Sequence, residues 1–117
     1  MIKDLNIALI GCGNWGKNIA RNLHQMGSLT YIYDSNVKLS EKLSYDYSLA
    51  TLELNKIFKD QNINAIVIAS PATTHKDMAI EALKNGKDVF IEKPFCLSLP
   101  DAQKLSELAT NKNRILM

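Results

Sequence analysis

The chain has 117 residues, of which 46% are hydrophobic and 22% are charged, and its net charge is +2. This composition is typical of one globular domain that is large enough to bury a core. The small net charge and the lack of a basic block argue against a nucleic-acid or anionic-membrane partner. No apolar run reaches the ~18 residues that a membrane helix needs.

The first predicted strand, residues 7–10, leads into a glycine turn of spacing G-x-G-x-x-G, formed by Gly11, Gly13 and Gly16. Such a turn can hold a dinucleotide pyrophosphate: the first glycine permits the tight turn, the second lets the phosphates approach, and the third lets a helix pack on the strand. A helix does follow, and its apolar residues recur at helical spacing: Ile19, Leu23 and Met26. Taken alone, the motif fits equally well with a strand-to-helix turn that binds nothing.

The second predicted strand, residues 29–33, ends at Asp34. An acidic residue about 20 residues beyond the glycines is typical of sites that hold the adenosine ribose of a dinucleotide. A carboxylate there accepts hydrogen bonds from the 2′- and 3′-hydroxyls and repels a 2′-phosphate, so Asp34 favours NAD over NADP. Alternatively, Asp34 is a turn or helix N-cap residue before Ser35 and Asn36, and the two roles are compatible.

The middle of the chain is predicted to hold two helices around a short edge strand. Ser35 opens the first helix, residues 36–45, and the edge strand covers residues 47–50. The second helix covers residues 52–60, with Thr51 as its N-cap and with three inward side chains: Leu54, Ile57 and Phe58.

The last third of the chain alternates in the same way. Residues 65–69 form the clearest central strand, and Gly86 ends the helix that follows over residues 74–85. The predicted inner face of this helix carries Met78, Ala79, Ala82 and Leu83. The remaining elements are a strand over residues 89–91, a helix capped by Ser98 with Asp101 three residues on, and a strand that begins at residue 114.

This alternation predicts right-handed βαβ units in a three-layer α/β doubly wound parallel sheet, a Rossmann fold with strand order 3-2-1-4-5-6. Ligands of such sheets bind at the carboxyl ends of the strands. We expect residues 1–117 to be one NAD(P)-binding domain, and we expect the chain to be truncated before a C-terminal substrate-binding domain.

The two cysteines, Cys12 and Cys96, fit no metal-ligand spacing, so no metal site is expected. Few cysteines and an N-terminus unlike a signal peptide favour a protein of the reducing cytoplasm. Cys12 lies inside the glycine turn and is interpreted as a small filler residue.

The chain resembles the Gfo/Idh/MocA oxidoreductases over its entire length, which would be the N-terminal half of a family member. Three matches carry the resemblance: the glycine turn with Asp34, Ser70-Pro71 followed by His75, and Glu92-Lys93-Pro94 at the end of a strand. The stretch 13–18, with Arg21 and Asn22, is similar to the branch of the family that acts on nucleotide sugars.

The resemblance implies NAD as the cofactor and hydride transfer with a secondary hydroxyl of a sugar, nucleotide sugar or cyclitol. Lys93 would lie near the nicotinamide and orient the substrate hydroxyl. By residue type alone, a solvated lysine before a proline is the favoured interpretation, but the position of Lys93 and its neighbours Glu92 and Pro94 reverse that preference. Glu92 would contact the nicotinamide ribose or fix Lys93, and a cis peptide before Pro94 would aim Lys93 into the cleft.

The resemblance also implies cofactor contacts in the segment that follows the central strand. Ser70, Pro71 and His75 match the family's loop over the nicotinamide-side ribose and phosphates. His75 is alternatively a polar residue in the first turn of a helix, without a catalytic duty.

Asn14 and Trp15 stand between the second and third glycines and are further candidate cofactor contacts. Trp15 either lines the cofactor turn or packs between the first helix and a partner domain.

The catalytic Asp and His of the family's second domain lie outside this chain, so the chain alone is not expected to turn over. The whole protein is expected to take a small-molecule substrate and to form a homo-oligomer. A second interpretation is a non-catalytic NAD(H) sensor, which would keep the glycine turn without needing Glu92-Lys93-Pro94.

Overall fold

The computed structural model describes residues 5–93, 96 and 98–117. Strands and helices alternate along the chain as the sequence predicts. The strands are β1 (Ile7–Ile10), β2 (Leu29–Tyr33), β3 (Ala65–Ile68) and β4 (Asp88–Ile91). The helices are α1 (Asn14–Gln25), α2 (Val37–Asp46), α3 (Leu54–Lys59), α4 (His75–Lys84) and α5 (Leu99–Asn111), and a 3₁₀ turn covers Ala72–Thr74.

The four strands form one parallel sheet in the order β2-β1-β3-β4. In place of the predicted strand from residue 114, the structure has an isolated parallel bridge between Leu116 and Val89, at the outer edge of β4. Val89 donates to the carbonyl of Ile115 at 2.8 Å, and Ile91 donates to that of Met117 at 2.8 Å. The order reverses at β1, so the carboxyl ends of β1 and β3 stand side by side, where doubly wound sheets bind ligands.

The predicted edge strand over residues 47–50 is wrong. The chain closes the end of α2 instead, because Ser48 adopts φ 57° and the amide of Leu49 donates to the carbonyl of Ser44 at 2.7 Å. A left-handed residue followed by this bond is a helix C-terminal motif and is incompatible with an extended strand. Among the described residues, β2 is therefore the edge strand on the side of the sheet where the prediction placed residues 47–50.

The sheet is covered on both faces, which gives the three predicted layers. Successive side chains of each strand point to opposite faces, so β1 sends Ala8 and Ile10 to one core and Ile7 and Leu9 to the other. The first core packs against the inner sides of α3, α4 and α5, and the second against α1 and α2. This arrangement confirms the doubly wound fold.

Several predicted helix positions hold, and others shift. Ser98 caps α5 by accepting from the amide of Asp101 at 3.3 Å, as predicted. Asn36, rather than Ser35, is the N-cap of α2, and Glu53, rather than Thr51, is that of α3. Met26 does not extend the buried side of α1, because it is the C-cap of that helix and is 70% exposed.

Candidate functional site

The ends of β1, β2 and β3 line one cleft of about 560 Å³. Five of the predicted site residues come together there: Gly11, Gly13, Asp34, Ser70 and Pro71. The sequence interpretation did not assign the other lining residues, which are Ile10, Tyr33, Ser35, Asn36, Leu39, Ala69, Thr74 and Met78. The remaining predicted residues lie outside this lining: Asn14, Trp15, Gly16, His75, Glu92 and Lys93.

Each glycine of the turn meets a different constraint. Gly11 has φ 107°, and a Cβ there would lie 2.5 Å from the carbonyl carbon of Ala69. A Cβ at Gly16 would overlap the carbonyl oxygen of Gly11. A Cβ at Gly13 would meet nothing within 4 Å. The fold therefore requires the first and third glycines, whereas the space beside the second is open to a ligand.

Helix α1 starts at this open space. Its N-cap is Gly13, which carries no side chain to cap the helix, and its first turn contains no acidic residue. The first amide groups of a helix lack intrahelical acceptors and carry a partial positive charge, so they favour an anion. Asn14 and Trp15 lie in this turn with exposed side chains, and that of Trp15 is 67% exposed.

Asp34 is half-buried and bonds to backbone on two sides. Its Oδ2 accepts from the amide of Cys12 at 2.7 Å, and its Oδ1 accepts from the amide of Asn36 at 2.8 Å. The second bond confirms the turn role predicted for Asp34. Each carboxylate oxygen keeps a further lone pair, so the group can also accept from ribose hydroxyls.

Cys12 is fully buried beside the Asp34 carboxylate. Burial, and secondarily the negative charge of Asp34, raises the pKa of the Cys12 thiol to about 12, and Lys17 opposes this shift. The thiol is therefore protonated and unreactive near neutral pH. This agrees with its interpretation as a filler residue.

The segment after β3 is held by side-chain hydrogen bonds. Thr74 Oγ1 donates to the carbonyl of Pro71 at 2.6 Å, and the hydroxyls of Ser70 and Thr74 are 2.7 Å apart. A hydroxyl has one proton, so Ser70 donates to Thr74. Ser70 lines the cleft, and its hydroxyl, having given its proton to Thr74, can offer a ligand only an acceptor. The sequence interpretation gave Thr74 no role, although a threonine shortly after Ser-Pro is a common turn-forming residue.

His75 is only 1% exposed, at the first position of α4. Its Nε2 is 2.7 Å from the carbonyl oxygen of Ser70. Because that oxygen can only accept, Nε2 carries the proton. The structure thus favours a role in fixing the Ser70 segment over direct contact with a ligand.

Glu92 and Lys93 continue β4 at the same end of the sheet. The amide of Glu92 donates to the carbonyl of Ile68 at 2.8 Å, so the pairing with β3 extends to the level of the cleft. Glu92 Oε1 accepts from the amide of Lys93 at 3.1 Å, and Lys93 is exposed. Strand β4 is the neighbour of β3, and neighbouring strands lie about 4.8 Å apart. Lys93, just after β4, is therefore one strand farther along the sheet than the Ser70 segment, which follows β3. Pro94 and its peptide bond lie outside the described residues.

Residues 5–93, 96 and 98–117 show neither a cluster of metal-ligating side chains nor a membrane-spanning helix. No group of three or more His, Cys, Asp or Glu side chains there is placed to hold a metal ion. None of the helices in that part of the chain has the length and apolar character to cross a membrane.

Known proteins are similar to this chain in both sequence and fold. The scyllo-inositol 2-dehydrogenase (NAD(+)) of Bacillus subtilis (strain 168) is 30% identical over 112 residues, which are 92% of this chain and 33% of that protein. The myo-inositol 2-dehydrogenase of Thermotoga maritima is 29% identical over 118 residues, which are 96% of this chain and 35% of that protein.

A similar solved structure is GenD2 from gentamicin A biosynthesis in complex with NAD. It matches with a TM-score of 0.92 and 25% identity, over 99% of this chain and 34% of that one. The chain thus spans about a third of the length of these relatives, rather than the expected half.

A family model described as an oxidoreductase family with an NAD-binding Rossmann fold matches residues 5–117. The chain therefore belongs to the Gfo/Idh/MocA oxidoreductase family.

Proposed function

We propose that the chain binds NAD in the cleft at the ends of β1, β2 and β3. The observation that carries the proposal is the open space beside Gly13, where a Cβ would meet nothing within 4 Å. That space is bounded by the first turn of α1 and faces the acceptor groups of Asp34 and Ser70 across the same cleft. The start of α1, at Gly13, and the acceptors of Asp34 and Ser70 thus meet at one cleft, as a dinucleotide requires.

Each part of the cleft has a distinct role in this proposal. The first-turn amides of α1 donate to the pyrophosphate. Asp34 accepts from the adenosine ribose hydroxyls, and Ser70 offers a second acceptor. Bound NAD supplies the hydride-accepting nicotinamide. The carboxylate of Asp34 favours NAD over NADP because it would repel a 2′-phosphate.

For the whole protein we propose hydride transfer with a secondary hydroxyl of a sugar, nucleotide sugar or cyclitol. The inositol dehydrogenases among its relatives support this substrate class. Lys93, exposed at the end of β4, is the proposed catalytic residue and would orient the substrate hydroxyl, while Glu92 holds the backbone of Lys93. We further propose that the whole protein acts on this small molecule as a cytoplasmic homo-oligomer.

Calorimetric titration of the 117-residue chain with NAD and with NADP tests the binding proposal. We expect NAD to bind more tightly than NADP. The substitution Gly13→Ala should weaken NAD by at least about tenfold, because the methyl group would occupy the space of a phosphate. Absence of NAD binding to the unmodified chain, or equal binding to Gly13→Ala, would contradict the proposal.

A further inference from the structure

Asp34 bonds to the glycine turn, 22 residues earlier in the sequence, and to the segment that follows it. One carboxylate oxygen accepts from the amide of Cys12, inside the glycine turn, and the other accepts from the amide of Asn36, beyond the end of β2. Both carboxylate oxygens of Asp34 therefore accept hydrogen bonds from backbone amides of the chain itself. The bond to Cys12, at 2.7 Å, has the length of a charge-assisted hydrogen bond.

The position of this carboxylate is unfavourable for an anion site on charge alone. Asp34 contacts the backbone between Gly11 and Gly13, next to the space proposed for a pyrophosphate. A negative charge there repels phosphate. The carboxylate also accepts the hydrogen bond of the Cys12 amide, so this amide is not available as a donor to a phosphate. The carboxylate makes two contributions that can offset this cost: the ribose contact proposed above, and the bond to the Cys12 amide, which does not depend on a ligand.

We infer that Asp34 is a positioning residue that holds the glycine turn in its ligand-ready form before a dinucleotide binds. The inference rests on the proposed function and adds to the ribose contact assigned there. If Asp34 has this role, the phosphates contact the amides at the start of α1 and do not contact the amide of Cys12. This role also means that replacing Asp34 to admit NADP would loosen the turn that both cofactors need.

Inorganic pyrophosphate distinguishes this role from a ribose contact, because it has no ribose. We would titrate the unmodified chain and Asp34→Ala, following the amide NMR signals of Asn14, Trp15 and Gly16. If Asp34 acts only through ribose and charge, its removal strengthens pyrophosphate binding. If Asp34 positions the turn, its removal weakens binding, on the order of tenfold for the loss of one charge-assisted bond. Equal or tighter binding to Asp34→Ala would overturn the inference.

Asp60→Ala is the matched control. Asp60 Oδ1 accepts from the amide of Asn62 at 2.9 Å, which is the same local turn bond that Asp34 makes to Asn36. The control removes one carboxylate, its turn bond and its side-chain contact with Tyr31, but it leaves the bond between Asp34 and Cys12 intact. Pyrophosphate binding to Asp60→Ala should match that of the unmodified chain.

A measurement without ligand separates this inference from the proposed function. Hydrogen exchange of the Cys12 amide should be faster in Asp34→Ala than in the unmodified chain, while that of Ala20 in α1 stays the same. Unchanged exchange at Cys12 would overturn the inference even if NAD binds. Failure of the unmodified chain to bind NAD would instead contradict the proposed function. Should Asp34→Ala fail to fold, Asp34→Asn keeps one acceptor oxygen, and the same weakening and faster exchange are expected to a smaller degree.

Discussion

The buried ring of His75 donates a hydrogen bond from Nε2 to the carbonyl oxygen of Ser70, five residues earlier, at 2.7 Å. This bond fixes the peptide from which the Ser70 hydroxyl reaches the cleft. His75→Leu removes the donor and leaves the carbonyl without it. We expect a loss of about 1 to 3 kcal/mol in the free energy of unfolding. We also expect roughly fivefold weaker NAD binding, which corresponds to about 1 kcal/mol.

The variant His75→Gln tests whether the hydrogen bond, rather than ring packing, is what matters. The amide nitrogen of glutamine can reach the position of Nε2 and donate to the same carbonyl. NAD affinity measured by calorimetry should recover most of its value in His75→Gln. If His75→Gln and His75→Leu lose affinity equally, the bond to Ser70 does not organise the cleft.

Two glycines of the turn should affect different properties: Gly11 is needed for the stability of the fold, and Gly13 for the binding of a ligand. Gly11→Ala places a side chain at φ 107° and against the backbone of Ala69, so we expect a loss of more than about 2 kcal/mol in the free energy of unfolding. Gly13 has φ −68° and open space beside it, so Gly13→Ala should lower the free energy of unfolding by less than about 1 kcal/mol. Urea denaturation of both variants checks this order. Similar losses would mean that the open space beside Gly13 is not present in solution.

The sequence predicts those parts of the molecule that depend on local spacing. The glycine turn, Asp34 and the alternation of strands and helices all follow from short patterns, and the structure brings Gly11, Gly13 and Asp34 into one cleft. The strand at residues 47–50 could not be excluded in this way. Its composition suits a strand, but the amide of Leu49 donates to the carbonyl of Ser44, so the segment closes the end of α2 instead.

Side-chain contacts of the site are harder to predict than its position. The bond between Asp34 and Cys12 joins residues 22 apart and depends on the pairing of β1 with β2. The burial of His75 depends on how α4 packs against β3 and β4. A residue type indicates what a side chain can bond to, but packing decides which partner is within reach.

Cys12 should make the fold sensitive to alkaline pH. In the unfolded chain the thiol ionises near its ordinary pKa of 9.0, whereas burial raises its pKa to about 12 in the folded chain. Between these values the folded state binds more protons than the unfolded state. Stability from this group is therefore complete below pH 9 and falls as pH rises, by about 1.4 kcal/mol per unit.

Urea denaturation at several pH values between 8 and 10.5 checks the role of Cys12. The difference in stability between the unmodified chain and Cys12→Ala should shrink or reverse as pH rises above about 9. Cys96→Ala is the control: burial raises the pKa of the Cys96 thiol, but this thiol is only half-buried, so its effect on the pH dependence should be smaller. A constant difference for Cys12→Ala would show that the thiol ionises alike in both states.

Lys93 distinguishes an enzyme from an NAD(H) sensor. In a protein that joins this chain to a substrate-binding domain, Lys93→Ala should lower kcat for sugar or cyclitol oxidation by roughly 100-fold, because the substrate hydroxyl would lose the group that orients it. NAD affinity should change little, because Lys93 does not line the cleft that holds the pyrophosphate and adenosine ribose in the proposal. Steady-state kinetics and NAD titration check the two expectations separately.

Lys104→Ala, which removes an exposed lysine from α5, is the matched control and should leave both quantities unchanged. If Lys93→Ala turns over at the unmodified rate, the catalytic assignment is wrong. If the unmodified protein binds NAD but oxidises no sugar, nucleotide sugar or cyclitol, the sensor interpretation is favoured. The exposed position of Lys93 at the end of β4, next to the segment that forms the cleft, lets a substrate reach it but also fits a solvated lysine, so the kinetic comparison of Lys93→Ala with Lys104→Ala decides between them.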